Sequence, residues 1–193
     1  MIQIVNSTSN FSVSSSVDFK KLESICLPSK QKWVTSKRNG NLLIRKAFNH
    51  MVMKIDKPKC TALIFKSGKI TLLGAKSEED VKQAAVIIAS KIGLPIQNEP
   101  KTSNWVGSFG YGSRLKLDEY VTFFRNYHED PSVASFEPEL LHAIIYHPNK
   151  GTKTKCLIYS SGKTVITGCK SIKEVEEMYW NLNSLIITKI LLE

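Results

Sequence analysis

Residues 63–77, LIFKSGKITLLGAKS, return at 157–171 as LIYSSGKTVITGCKS, identical at eight of fifteen positions and at a constant offset of 94. A self-similar segment of this size in a 193-residue chain means two copies of one supersecondary unit, each built by about half the sequence. TALIF and KCLIY read as strands, Ser67-Gly68 and Ser161-Gly162 as tight turns, and KITLL and KTVIT as the returning strands. Each hairpin ends at a glycine, Gly74 or Gly168, and a helix start follows. Ser77 precedes Glu78, Glu79 and Asp80, and Ser171 precedes Glu174 at capping-box spacing.

The first long helix is expected to bury Val81, Ala84, Ala85, Ile88 and Ile92 and to stop at Gly93. The second is expected to bury Val175, Met178, Tyr179, Leu182 and Leu185. DFKKLES at 18–24 and LDEYVTFF at 117–124 read as a smaller helix in each half, and FNHMVMKI at 48–55 and LHAIIYH at 141–147 as further strands. The halves divide at 1–96 and 97–193.

Two helices per half cover one face of a sheet, so its strands should alternate apolar with polar. They do not. Leu63 and Phe65 point one way and Ala62 and Ile64 the other, and Leu157 and Tyr159 likewise stand opposite Cys156 and Ile158. One apolar face in each half is left without a helix. A sheet-on-sheet sandwich, an obligate protein partner and a nucleic-acid groove whose floor takes apolar contacts would each account for it.

Charge bears on that choice. Lys and Arg number 27 against 17 Asp and Glu, a formal net charge of +10. Residues 1–96 hold 16 basic and 6 acidic side chains, whereas residues 97–193 hold 11 of each, so the whole excess lies in the first half. A polyanion partner with an asymmetric electrostatic grip follows. Cys26, Cys60, Cys156 and Cys169 show neither CxxC spacing nor paired histidine ligands, which points to buried free thiols and no metal. The longest apolar runs, such as AAVIIA at 84–89, are too short to span a bilayer. His50, His128, His142 and His147 form no acid-base or ligand spacing, and His50 is expected to face a helix or a loop edge. No paired carboxylate or phosphate-cradling glycine loop stands out, so no enzyme, cofactor or small-molecule substrate is expected.

TALIF-SGK-GAKSEE at 61–79, NWVGS at 104–108, SFEPEL at 135–140 and LIYSSGK with TGCK at 157–170 resemble, in order and spacing, the TATA-binding protein family. The resemblance runs from about Gln3 into the final helix. It implies an α+β fold, a two-repeat saddle with a pseudo-twofold, whose curved antiparallel sheet faces the DNA minor groove and whose helices lie on the convex face. It also implies a factor of transcription initiation in the nucleus or a viral transcription compartment, which binds and bends A·T-rich promoter DNA. Its protein partners would be transcription factor IIB, with transcription factor IIA as a further candidate. A second reading keeps the saddle as an interaction protein that binds DNA weakly and competes for general transcription factors.

Residue by residue, the family's intercalating Phe pairs fall on Phe48 and Phe65 in the first half and on Leu141 and Tyr159 in the second. Its groove-floor set falls on Asn104, Val106, Leu157, Val165 and Thr167, and in the first half on Leu63. Aligning QIVNST with the family's QNIVST puts Ile4 and Asn6 where Asn and Val are expected, while Thr71 and Leu73 replace a Val and a Thr. Phosphate contacts would fall to Lys54, Lys69 and Lys163, and His147 stands where the family has an Arg. Glu137 and Glu139 match the acidic loop that docks transcription factor IIB, whereas the helix at 78–92 has only Lys82 and Lys91 in place of a dense basic stripe.

Overall fold

The computed structural model describes residues 1–26, 42–46, 50–148 and 151–191. The expected wedge at Phe48 lies outside the described residues. The chain forms two compact units, residues 6–103 and residues 1–5 with 104–193. The repeat boundary expected at 96/97 falls at the start of a long strand, and compactness groups residues 97–103 with the first half and residues 1–5 with the second.

The first unit contains β1 (Gln3–Val13, from residue 6 on), α1 (Phe19–Cys26), β2 (Leu42–Lys46), β3 (His50–Asp56), β4 (Lys59–Phe65), β5 (Lys69–Leu73), α2 (Glu78–Ile92) and the first part of β6 (Ile96–Gly110). Its strands lie in the order β2-β3-β4-β5-β1-β6, with antiparallel register from β2 through β1. The second unit contains the rest of β6, α3 (Leu117–Tyr127), β7 (Ala134–Ser135), β8 (Ala143–Tyr146), β9 (Lys155–Tyr159), β10 (Lys163–Cys169) and α4 (Ile172–Leu191). There the order is β6-β10-β9-β8-β7, again antiparallel.

The hairpins turn where the sequence places them. Gly68 and Gly162 take φ of 84° and 80°, and their N–H groups donate to the carbonyls of Phe65 and Tyr159. A Cβ at either glycine would run into a backbone carbonyl, that of Ser15 or of Ser113, so these positions admit no side chain without movement.

Helix caps follow the capping-box expectation. Ser77 Oγ accepts from the Asp80 N–H at 3.0 Å and Asp80 accepts in return from the Lys76 N–H at 3.1 Å. Ser171 Oγ accepts from the Glu174 N–H at 3.1 Å while Glu174 accepts from the Lys170 N–H at 2.7 Å and from the Thr154 hydroxyl at 2.6 Å. Gly93, in the left-handed conformation, closes α2. The α2 stripe is buried as expected, with Ala89 added. In α4 the buried set is Val175, Met178, Leu182 and Ile186, while Tyr179 and Leu185 are only half-buried. Val175, Met178 and Leu182 are buried as expected, and at the last turn the helix presents Ile186 to the core where Leu185 was expected.

The core of each unit lies on one sheet face. Met51, Met53, Ile55, Ala62, Ile64, Ile70 and Leu72 are buried with α2 in the first unit, and Trp105, Ile144, Tyr146, Ile158 and Ile166 with α4 in the second. Phe124 of α3 stacks on Tyr146 of β8 with ring centroids 4.6 Å apart. Cys60, Cys156 and Cys169 are buried free thiols on these same faces. Desolvation pushes Cys60 and Cys169 up to about 11 and Cys156 further still.

Candidate nucleic-acid interface

The other face of each sheet is open. On β3, β4 and β5 the side chains that alternate with the core are His50, Val52, Lys54, Thr61, Leu63, Phe65, Lys69, Thr71 and Leu73, all half-exposed or exposed. On β9 and β10 they are Leu157, Tyr159, Lys163, Val165 and Thr167, and on β6 Asn104 and Val106. Every expected groove-floor residue in the described segments therefore lies on an open face, as do Phe65 and Tyr159. Leu141 is half-buried just before β8, its N–H bonded to the Glu137 carbonyl at 2.9 Å.

Backbone hydrogen bonds give each position its counterpart. Val13 N–H donates to Gly68 C=O and Val17 N–H to Lys66 C=O; in the second unit Tyr111 donates to Gly162 and Leu115 to Ser160. The hairpins match at an offset of 94, but β1 matches β6 at 98. By strand register Asn6 is thus the counterpart of Asn104 and Thr8 of Val106, which differs from the alignment that set Ile4 at the asparagine position. Thr71 answers Val165, Leu73 answers Thr167, and Phe65 answers Tyr159.

The counterparts differ in their surroundings. Asn104 Oδ1 accepts the Gly168 N–H at 2.8 Å across a bulge in β10, which leaves its amide nitrogen to donate outward. Asn6 is exposed on β1. His50 stands opposite Phe65 in register with its ring centroid 5.5 Å away, so it occupies the open face and not a helix-facing position. Ala143, opposite Tyr159, is buried and offers no such ring.

Lys54, Lys69 and Lys163 are exposed, the last two directly after the turn glycines. His147 follows β8 at the counterpart of Lys54. Beside Phe65 the first unit has a hollow of about 570 Å³ lined by Asn10, Ser12, Lys69, Thr71 and Lys101, among others. Asn10 and Lys101 carry no expectation from the sequence, and Thr71 only that it replaces a groove-floor Val; the alternation of β1 is the signal that could have placed Asn10.

The loop at 135–141 carries Glu137 and Glu139 exposed, and between β7 and β8 it also leaves Leu140 82% exposed. Among the described residues no group of three or more His, Cys, Asp or Glu could hold a metal ion, and no helix is long and apolar enough to cross a membrane.

The family model described as transcription factor TFIID (or TATA-binding protein, TBP) matches residues 1–93 and 99–187. The chain belongs to the TATA-binding protein family. It is 33% identical to human TATA box-binding protein-like 2 over 184 residues, 93% of the chain and 48% of that protein. Against the Tetrahymena thermophila TATA-box-binding protein it is 37% identical over 145 residues, 71% of the chain and 56% of that protein. The chain thus spans about half the length of these curated relatives. Its fold is that of the TBP of Methanococcus jannaschii, with a TM-score of 0.68, 25% identity and coverage of 97% of this chain and 98% of that one.

Proposed function

We propose that this family member binds the minor groove of A·T-rich promoter DNA through the open sheet faces, bends it, and recruits transcription factor IIB in the nucleus. The carrying observation is that Leu63, Phe65, Leu73, Leu157, Tyr159 and Val165 remain half-exposed on strands whose opposite face is fully buried. A minor groove supplies apolar sugar edges and base-step openings for such side chains, and phosphates for the lysines at the hairpin ends. Phe48 with Phe65 and Leu141 with Tyr159 would be the wedges. Asn6, Asn104, Val106 and Thr167 would read base edges, where amide donors suit the A N3 and T O2 acceptors. Lys54, Lys69 and Lys163 would hold phosphates. Glu137 and Glu139 would meet transcription factor IIB, and transcription factor IIA is the further partner candidate.

The test is a gel shift with fluorescence-transfer bending on an A·T-rich duplex against a G·C-rich one of equal length. Preferential binding with bending supports the proposal. Equal, unbent binding to both overturns it.

A competitor for general transcription factors is the second reading. It is favoured by the exposure of Leu140 directly after the acidic pair Glu137 and Glu139, a protein-docking feature that does not depend on the open faces. Capture of transcription factor IIB without any shift of the A·T-rich duplex would select it.

A further inference from the structure

The open face of the first unit carries a hydrogen-bonded pair that the second unit lacks. Thr71 Oγ1 donates to Asn10 Oδ1 at 2.9 Å, and Asn10 Nδ2 reaches Ser103 Oγ at 3.5 Å, whose own proton goes to the Thr8 carbonyl at 3.1 Å. Asn10 and Thr71 face each other in register across β1 and β5 and line the hollow beside Phe65. The same register in the second unit pairs Ser108 with Val165.

The proton inventory of the pair is definite. Thr71 has spent its only donor on Asn10, so its oxygen presents lone pairs outward. Asn10 has its carbonyl oxygen engaged, and one amide hydrogen remains for a base acceptor. In the minor groove A·T and T·A pairs show acceptors alone, and the guanine N2 amino group is the single added donor. Val165, of the same shape as threonine but without the hydroxyl, cannot accept from that group and leaves it desolvated without a partner. Thr71 can accept it while Asn10 donates to the neighbouring base acceptor.

We infer that Asn10 and Thr71 are specificity-determining residues that let the first unit accept a G·C pair in its half of the site, while Val165 makes the second unit refuse one. The inference rests on the minor-groove reading above. It implies that a single G·C pair sets the orientation of the complex: the first unit settles on the half that holds guanine.

The test uses a duplex with two identical A·T-rich halves, a G·C pair placed in one half or the other, and inosine·cytosine at the same positions, which lacks the N2 amino group. Orientation is read by energy transfer from a dye on Glu79→Cys, exposed on α2, in a Cys26→Ser background, to an acceptor at one duplex end. The expected result is an orientation bias of about tenfold toward the guanine half, which reverses when the G·C pair is moved and disappears with inosine. Thr71→Val should erase the bias, and Val165→Thr with Ser108→Asn should transplant the tolerance to the other half. No bias with guanine, or an unchanged bias in Thr71→Val, overturns the inference while binding to the parent duplex keeps the minor-groove reading alive. Failure to bind the parent duplex at all sinks both.

Discussion

The two units share a strand plan but load their open faces differently. In the first, register-matched positions hold Phe65 against the His50 ring, Thr71 bonded to Asn10, and Lys54 and Lys69 at the ends. In the second, the same positions hold Tyr159 opposite Ala143, Val165 opposite Ser108, and His147 and Lys163. The first unit sets Phe65 beside a histidine ring, two lysines and Thr71 where the second has Tyr159, one lysine with a histidine, and Val165, so duplication of a fold has not meant duplication of its open face.

The sharpest way to break this comparison is to remove wedges. Phe48→Ala with Phe65→Ala should abolish bending and weaken binding by about thirtyfold or more, since each stacking contact is worth about 1–3 kcal/mol. Leu141→Ala with Tyr159→Ala should cost several times less. Bending measured by energy transfer, with thermal unfolding as control, decides it; equal losses would mean that the units wedge alike.

Charge comes next. Each phosphate neutralised adds about −0.9 to the slope of log affinity against log salt, so Lys54→Ala with Lys69→Ala should flatten that slope by about 2 and Lys163→Ala by about 1. A flat slope in the parent protein would instead indicate a partner other than DNA.

A smaller gain should come from making the second unit resemble the first. Leu141→Phe with Tyr159→Phe should lengthen the complex lifetime several-fold and increase the bend, because a full aromatic face stacks on the opened step and no hydroxyl is desolvated. No gain in stopped-flow dissociation would show that the second unit is not a wedge.

The smallest contrast concerns stability. Ser77→Ala and Ser171→Ala should each cost about 1 kcal/mol in urea unfolding. Ser171→Ala should cost more, because the Glu174 that its hydroxyl helps to position also accepts from Thr154 and so ties α4 to the segment before β9, a bond Asp80 does not make.

Much of this arrangement could be read from the residues. The hairpins, their glycines, the serine caps and the α2 stripe are local devices, encoded within a few residues of where they act. The open faces were also legible, since Leu63 and Phe65 alternate with Ala62 and Ile64 whatever the tertiary context. What escaped was long-range register. Asn6 corresponds to Asn104 only because β1 bonds to the hairpin two residues away from where the motif alignment sets it, and the intervening connection in the first half is longer. For His50 the helix alternative failed, since it begins β3 on the open face beside Phe65, and in α4 Val175, Met178 and Leu182 were legible while Ile186 is buried where Leu185 was expected, both being apolar.

The buried thiols turn the two units into separately timed clocks. Cys60 belongs to the first unit, Cys156 and Cys169 to the second, and a protonated, enclosed sulfur reacts with an alkylating probe only when its surroundings open. With Cys26→Ser in place, mass-resolved labelling would count each repeat's excursions from the native state without any engineered tag. Adding a promoter duplex should slow both counts, and the ratio between them would show which repeat the duplex holds more firmly.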